Sequence, residues 1–389
     1  MFPYEVFKVI YSPFKAFKEI IRNPKYIGPI LIMILFVLAN IGFGYVLLSK
    51  TYLDQTIPYA SEFDKWTEDT ALWDSNAGIT PNTDDYISGD YYGNKSMKFS
   101  LVDGSQIQMQ LNIVDSLNCT GPEGYKNLSF RLKLIEPLTK PTNASLYLFS
   151  TQPQDNFYNN LTDKLNETSL WNNITISVGP ESEEWLSNNT NAGWDNITGL
   201  ELQFTWLTES NITLLIDGLF FHGVYKPLIE SASGYLINYP IIAFMQFTIQ
   251  WVTLGGFLYI VPKIFKVKTV WKPLLIIAGF SLITIFIQIV ITSVVLSTLP
   301  ELHYPLEILG GVPGEGQTAY DQILEATQIA DQILWYIEKV VYVWTIALCA
   351  IALRLMFAFS WTKSLFVSAL SYLLSLFISR FLTYGAIWL

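Results

Sequence analysis

YIGPILIMILFVLANIGFGYVLLS, residues 26–49, carries no charged side chain over 24 positions. As a helix it rises about 36 Å, enough to cross a hydrocarbon layer of roughly 30 Å. Four more stretches share this character: 231–262, 273–299, 337–359 and 364–388, with Arg354 the one charge of Val340–Ala358 and Arg380 the one charge of the last stretch. Five such stretches in one chain predict a membrane bundle of five transmembrane helices, not five buried helices of a soluble core. Residues 52–224 are of opposite composition, rich in Asn, Asp, Ser and Thr. The chain therefore divides by solvent. A segment 1–25 is followed by span one, a polar domain over 50–230, span two, a loop over 263–272, span three, a loop over 300–336, and spans four and five.

The basic residues set the expected orientation. Residues 1–25 hold Lys8, Lys15, Lys18, Arg22 and Lys25 against Glu5 and Glu19, and 263–272 hold Lys263, Lys266, Lys268 and Lys272 with no acid. Lys363 lies between spans four and five. If all five stretches cross, these segments share one side, which the positive-inside rule makes cytoplasmic. The polar domain and the C-terminus then face outward. No small-residue cleavage site follows the basic start, so span one is expected to act as a retained signal anchor.

Ten N-x-[ST] sequons occur, at Asn94, Asn118, Asn127, Asn143, Asn160, Asn166, Asn173, Asn188, Asn196 and Asn211. All lie in the segment placed outside, where the 18 asparagines of 52–224 would give about 3 by chance. N-linked glycans are the expected modification. Cys119 and Cys349 fall in different solvents, so no internal disulfide is expected.

Alternation makes the polar domain all-β. Ile107, Met109, Leu111 and Ile113 alternate with Gln108, Gln110 and Asn112; Leu128, Phe130, Leu132 and Leu134 with Ser129, Arg131 and Lys133; Leu200, Leu202, Phe204 and Trp206 with Glu201, Gln203 and Thr205. Met97–Leu101, Ile174–Val178 and Ile212–Ile216 repeat the pattern. Each strand is expected to have one wet and one dry face, as in two packed antiparallel sheets.

The run Trp171–Gly179, then Trp185, then GWDNITGLELQFTW and NITLLIDGLFFHG resembles galactose-binding-like jelly rolls, the fold of carbohydrate-binding modules and discoidin-like domains, over about residues 85–224. The resemblance implies a jelly-roll sandwich inserted between helices one and two. Trp73, Trp185 and Trp194 are candidates for stacking on sugar rings, although filling the core is the commoner fate of tryptophan. Asp84, Asp85, Asp90 and Asp217 are candidate oxygen ligands for a structural calcium of the kind related jelly rolls hold, although no compact D-x-[DN]-x-[DN]-G loop is present.

Ser12 and Pro13 open an amphipathic helix over 13–22. Phe7, Ile10, Phe14, Phe17 and Ile21 recur at helical spacing, opposite Lys8, Lys15, Lys18 and Arg22. Such a helix can lie on the cytoplasmic leaflet or pack under the bundle. FKVIYSPFKAFKEIIRNPKYIGPILIMIL resembles the opening of the Yip family of Ypt/Rab-interacting membrane proteins, and five spans with a cytoplasmic N-terminus match it too. The resemblance covers 1–50 and 231–389 and departs at the large insertion after span one, which puts Rab-type partners in doubt.

Gln246, Gln250 and Gln288 are the deep polar residues, and no Asp or Glu lies deep in a span. They and the Gly255–Gly256 pair are expected to join helices. Two histidines, His222 and His303, give no metal spacing, and no H-E-x-x-H, G-x-S-x-G or Walker motif occurs. LGGVPGEG, residues 309–316, reads as a flexible loop before an outer helix over 319–337. The sequence thus points to a non-enzymatic membrane scaffold presenting a glycosylated domain to the cell envelope, a glycan or a partner protein, with no nucleic acid. A permease or accessory subunit of a transport or secretion complex is the alternative. An archaeal-type plasma membrane is the expected site, and an endomembrane with a lumenal ectodomain the alternative.

Overall fold

A computed structural model describes residues 2–384 apart from 232, so the end of the fifth predicted span, 385–388, lies outside the described residues. Tyr52–Lys226 and His303–Ile323 form one compact unit, and the rest of the described chain forms a second.

The second unit is helical. Its elements are α1 (Phe2–Tyr11), α2 (Pro13–Arg22), α3 (Ile27–Lys50), α4 (Asn238–Ile260), α5 (Trp271–Ser281), α6 (Ile283–Ser297), α7 (Gln317–Phe357, whose first turns belong to the other unit) and α8 (Trp361–Tyr384). Five stretches are long and apolar enough to cross a membrane: Ile27–Lys50, Gly234–Phe265, Trp271–Ser297, Gln317–Phe357 and Trp361–Leu382. The third breaks at Leu282 into α5 and α6. The helix expected over 319–337 and the fourth span are one helix of 41 residues, about 60 Å long.

Small residues let these helices approach. A Cβ at Gly28 of α3 would lie 2.0 Å from the Phe280 ring of α5, and one at Gly255 of α4 would lie 2.6 Å from Leu275. Gly256 faces open space, so only the first glycine of the expected pair serves packing. Ser364, Ser368, Ser371, Ser375 and Ser379 make a buried stripe on α8, which packs on α4. Ser375 Oγ lies 2.8 Å from Thr253 Oγ1.

The opening segment is a hairpin of α1 and α2 tied by Lys8 Nζ and Glu19 at 2.6 Å. Ser12 precedes α2 with Pro13 at the first turn, but its side chain makes no capping bond. Val6, Val9, Ala16, Phe17 and Ile20 belong to the bundle's hydrophobic core. Phe17 is fully buried, contributing on the order of 2 kcal/mol. Phe17 and Lys8 therefore do not form a lipid-facing surface as expected: Phe17 is spent on the core and Lys8 on Glu19. Phe14, Lys15, Lys18 and Arg22 are exposed, and Ile21 is half-buried.

The first unit is a β-sandwich. Its strands are β1 (Thr51–Ile57), β2 (Trp73–Ser75), β3 (Gly78–Asn82), β4 (Ser96–Leu117), β5 (Asn127–Glu136), β6 (Asn143–Ser150), β7 (Gln152–Asn160), β8 (Asn172–Ser177), β9 (Leu186–Ser187), β10 (Ile197–Pro227) and β11 (Leu302–Tyr304). All the strand pairs with a described register are antiparallel. β4 and β10 are long because each serves both layers. Their halves Gln106–Leu117 and Ile197–Thr205 pair in layer one, with β2 beyond β4 and β6, β7 and β9 beyond β10. Their halves Met97–Leu101 and Ile212–Ile216 pair in layer two, with β3 beyond β4 and β5 and β8 beyond β10. The ladder is irregular between them, where Asp103 sits at φ 50°, a conformation Asp tolerates better than most residues.

The alternation seen in the sequence points inward as expected. Ile107, Met109, Leu111, Leu146, Leu148, Leu200, Leu202 and Phe204 of layer one share one core with Phe99, Phe130, Leu132, Ile174, Ile176, Leu214 and Ile216 of layer two.

The outer face of layer two is not wet. Ser129 and Arg131, expected on a solvent face, are buried. The strap His303–Ile323 covers them, with Tyr92, Phe220 and Leu306 forming a small apolar core alongside Ile87 and Val312. Arg131 donates to Glu315 through Nε and Nη2 and to the Tyr92 hydroxyl through Nη1. Asp54 accepts from Gly223 N at 2.7 Å and Leu306 N at 3.2 Å, and lies 3.0 Å from His222 Nδ1. The glycine-rich 309–316 is thus an ordered part of the strap, not a free loop: Gly311 adopts φ 67° against Asp90, and a Cβ on Gly89 would lie 2.3 Å from the Gly310 oxygen.

Candidate functional site

Layer one differs: its outer face keeps exposed and half-buried polar groups, with Ser145 buried among them. Residues directly opposite in an antiparallel ladder share a face. The registers place Asp74, Gln110, Glu201, Tyr147 and Tyr158 in one row across β2, β4, β10, β6 and β7. A second row holds Gln108, Gln203, Ser145 and Asn160. Five strands about 4.8 Å apart make the first row about 19 Å long.

The Tyr147 and Tyr158 rings are 5.3 Å apart and tilted by 50°. Both are half-buried, as are Gln110, Glu201 and Gln203, while Asp74 and Gln108 are exposed. Burial among these neighbours raises the Glu201 carboxyl above its usual range. Among the described residues no protein group hydrogen-bonds the side chains of Glu201, Gln108 or Gln203 or the hydroxyls of Tyr147 and Tyr158. The face thus offers carboxylate, amide and phenol groups with free hydrogen-bonding capacity beside two aromatic rings. It can bind a long, hydroxyl-rich ligand lying across the strands.

The tryptophans expected to stack on sugars serve the core. Trp73 is buried, its Nε1 donating to the Trp66 oxygen at 2.6 Å and its ring edge-on to Phe99. Trp185 is buried and donates to the Ser177 oxygen at 2.8 Å. Trp194 is half-buried, stacks on Phe157 with centroids 3.8 Å apart and meets Trp185 edge-on. Hydrophobic burial outcompetes exposure for these rings, so Trp73 and Trp185 leave no free platform.

The expected calcium ligands do not converge. Asp84 and Asp90 are exposed. Asp85 is held by Lys133 Nζ at 2.6 Å and Trp171 Nε1 at 2.9 Å. Asp217 is fully buried, accepting from Ile87 N at 2.6 Å and Gly218 N at 2.8 Å. Its carboxyl is raised by burial and by the neighbouring Asp64, so it holds a proton where a calcium ligand must be charged. Among the described residues no group of three His, Cys, Asp or Glu side chains is arranged to hold a metal. These residues do not fit the calcium site.

None of the ten sequon asparagines is buried. Asn94, Asn118, Asn160, Asn166, Asn173, Asn188 and Asn211 are exposed, and Asn127, Asn143 and Asn196 half-buried. Asn160 ends the second row of the open face.

The row on layer one escaped the sequence reading as a site. Gln108, Gln110, Glu201 and Gln203 had been assigned to wet faces, but β6 and β7, which bring the two tyrosines, carry weak alternation. The available signal was the amide-rich makeup of those wet positions.

No family model matches the chain and no curated protein matches it, so neither comparison supports the Yip resemblance. Solved carbohydrate-binding modules resemble the β unit. The family 11 module from Clostridium thermocellum, solved in complex with a β-1,3-1,4-mixed-linked tetrasaccharide, is 12% identical over 40% of this chain and 91% of that chain, with a TM-score of 0.28. The family 30 module of a cellulosomal cellulase of Clostridium thermocellum is 10% identical over 38% and 90%, with a TM-score of 0.30. A β-1,2-glucanase from Parabacteroides distasonis is 11% identical over 41% of this chain and 24% of that one, with a TM-score of 0.30.

Proposed function

We propose that this chain is a multi-pass membrane glycoprotein whose β-sandwich binds glycans, without catalysis, on the outer face of layer one. The observation that carries the reading is the row Asp74, Gln110, Glu201, Tyr147 and Tyr158 on the outer face of layer one, in which, among the described residues, only the Gln110 side chain is bonded to the protein, donating to Asn112 Oδ1 at 3.1 Å. Carboxylate and amide groups accept from and donate to sugar hydroxyls, and tyrosine rings pack on the C–H faces of pyranoses. The five apolar helices anchor the sandwich, with the basic segments cytoplasmic and the sandwich and C-terminus outside. The accessible sequons support glycosylation of the same domain.

The test uses the full chain in lipid nanodiscs against an array of neutral oligosaccharides. Binding that falls severalfold in Tyr147→Ala and in Glu201→Ala, with both variants still folded, supports the reading. Binding that survives both substitutions overturns the site. Release of reducing ends would refute binding without catalysis. Glycosidase treatment of the native protein tests glycosylation: an unchanged mass would refute it and remove its support for the outward orientation.

A further inference from the structure

We propose that the helical unit contains a separate binding site for an uncharged, hydroxyl-rich group of about monosaccharide size, supplied either as a free sugar or polyol or as the headgroup of a glycolipid. The site is a cavity of about 220 Å³ between helices α3, α4, α6, α7 and α8. Its polar walls are Gln246 and Gln250 on α4, Gln288 on α6, Glu338 and Tyr342 on α7, and Arg380 on α8. Phe36, Ile285, Ile289 and Leu376 add apolar surface, and Tyr372 and Ser379 of α8 also line it.

Two observations point to a ligand rather than to helix joining. Gln250 is 6% exposed, yet its side-chain amide has no protein hydrogen-bond partner among the described residues. The side chains of Gln246 and Gln288 likewise have none. Three primary amides therefore converge on one space with donors and acceptors unspent and open to whatever fills the cavity. Had these glutamines joined helices, as the sequence suggested, they would bond to one another or to a facing backbone oxygen, as Ser375 does with Thr253.

The charges on the wall decide the ligand's chemistry. Glu338 is bound by Arg380 Nη2 at 2.6 Å and Lys339 Nζ at 2.8 Å, and by the Tyr342 hydroxyl. Arg380 Nη2 also donates to the Tyr342 oxygen at 2.7 Å. The ionic groups are bonded to one another and to the Tyr342 hydroxyl. What remains are amides, which pair with hydroxyls in both directions. Apolar side chains beside them suit the C–H faces of a ring or the glycerol of a lipid.

The test uses the full chain, purified in detergent, in a Tyr147→Ala, Glu201→Ala background, so that the sandwich face contributes nothing. Three lipids are compared by native mass spectrometry: monoglucosyl-diacylglycerol, diacylglycerol and phosphatidylglycerol. Methyl glucoside is titrated separately. The expected result is saturable binding of the glucosyl lipid or of methyl glucoside that weakens at least tenfold in Gln250→Leu and in Gln288→Leu. Which of the two binds identifies the source. Neither amide bonds another protein group among the described residues, so both variants are expected to fold, and melting curves recorded beside the titrations check that loss of binding is not unfolding. Absence of binding by either glucosyl probe overturns the proposal, leaving a water-filled cavity. Equal retention of all three lipids, or insensitivity to both glutamine substitutions, overturns it as well.

Discussion

Tyr147 and Tyr158 face each other across the β6–β7 ladder, ring centroids 5.3 Å apart, at one end of a row whose other members are Glu201, Gln110 and Asp74. A tilted pair presents two ring surfaces at different angles, so the two contributions to binding differ. Tyr158→Ala and Tyr147→Ala should each weaken glycan binding by roughly 0.5–1.5 kcal/mol through lost ring contact. Phenylalanine at either position should retain most of that, with the remaining deficit reporting the hydroxyl. Calorimetry on the nanodisc-embedded chain separates the two.

Glu201 makes both binding and stability depend on pH. Its carboxyl is raised in the folded state by burial, so its contribution to stability is full at low pH and is lost as pH rises through the raised value. Glu201→Gln should therefore melt higher than wild type at neutral pH and show a flatter pH profile. If the ionised form accepts sugar hydroxyls, affinity falls on acidification, beginning at a higher pH than an ordinary glutamate would show. Affinity independent of pH across that window would contradict an ionised role.

Asp217 is buried beside Asp64, with Thr67 between them. Thr67 Oγ1 lies 3.0 Å from Asp64 and 3.4 Å from Asp217. Burial, with the hydrogen bond and charge of Asp64, raises Asp217 to about 9. Stability from this group is complete below the unfolded value near 3.8, declines with rising pH and is gone once pH passes about 9. Asp217→Asn, which mimics the protonated acid, should remove this slope and hold the melting temperature of the sandwich nearly level from pH 5 to 9. A variant whose pH slope equals that of wild type would refute the protonated assignment.

Arg131 depends on Glu315 for its charge balance, with side chains 5% and 23% exposed. Glu315→Ala leaves a buried guanidinium with only the Tyr92 hydroxyl and should cost about 3 kcal/mol. Replacing both, as Arg131→Met with Glu315→Leu, should recover most of the loss. Urea denaturation followed by tryptophan fluorescence measures both variants.

Gly28 and Phe280 are in tight contact in the helical unit. Gly28→Ala should destabilise it by about 1–3 kcal/mol through overpacking. Phe280→Leu in the same chain should relieve part of that cost, a coupling read from a double-mutant cycle.

Much of this architecture is written locally. The spans are legible because an uncharged run such as 26–49 is recognisable without its neighbours. The inward residues of β4, β5 and β10 are legible because a strand repeats every two positions. Coverage is not local. Arg131 looks like any solvent-facing residue of an alternating strand, and only a strap from far along the chain buries it. The same limit applied to Trp73 and Trp185, whose fate depends on which faces are closed. The row Asp74 to Tyr158 is assembled from five strands out of sequence order, so no single segment reveals it. Phe17 repeats with Phe14 at helical spacing, yet one faces the core and the other does not, because the hairpin with α1 chooses the face.

Arg131 leaves the ribosome 184 residues ahead of Glu315. Between them the growing chain must release the rest of the sandwich and three apolar helices. Throughout that interval the nascent domain carries an uncompensated cation and a bare patch around Tyr92 and Phe220, so it cannot complete itself as it is made. A chain interrupted before residue 303 yields a permanently unfinished domain, recognisable to chaperones and proteases. Synthesis as far as residue 323 is thereby built into the maturation of a domain begun at residue 52.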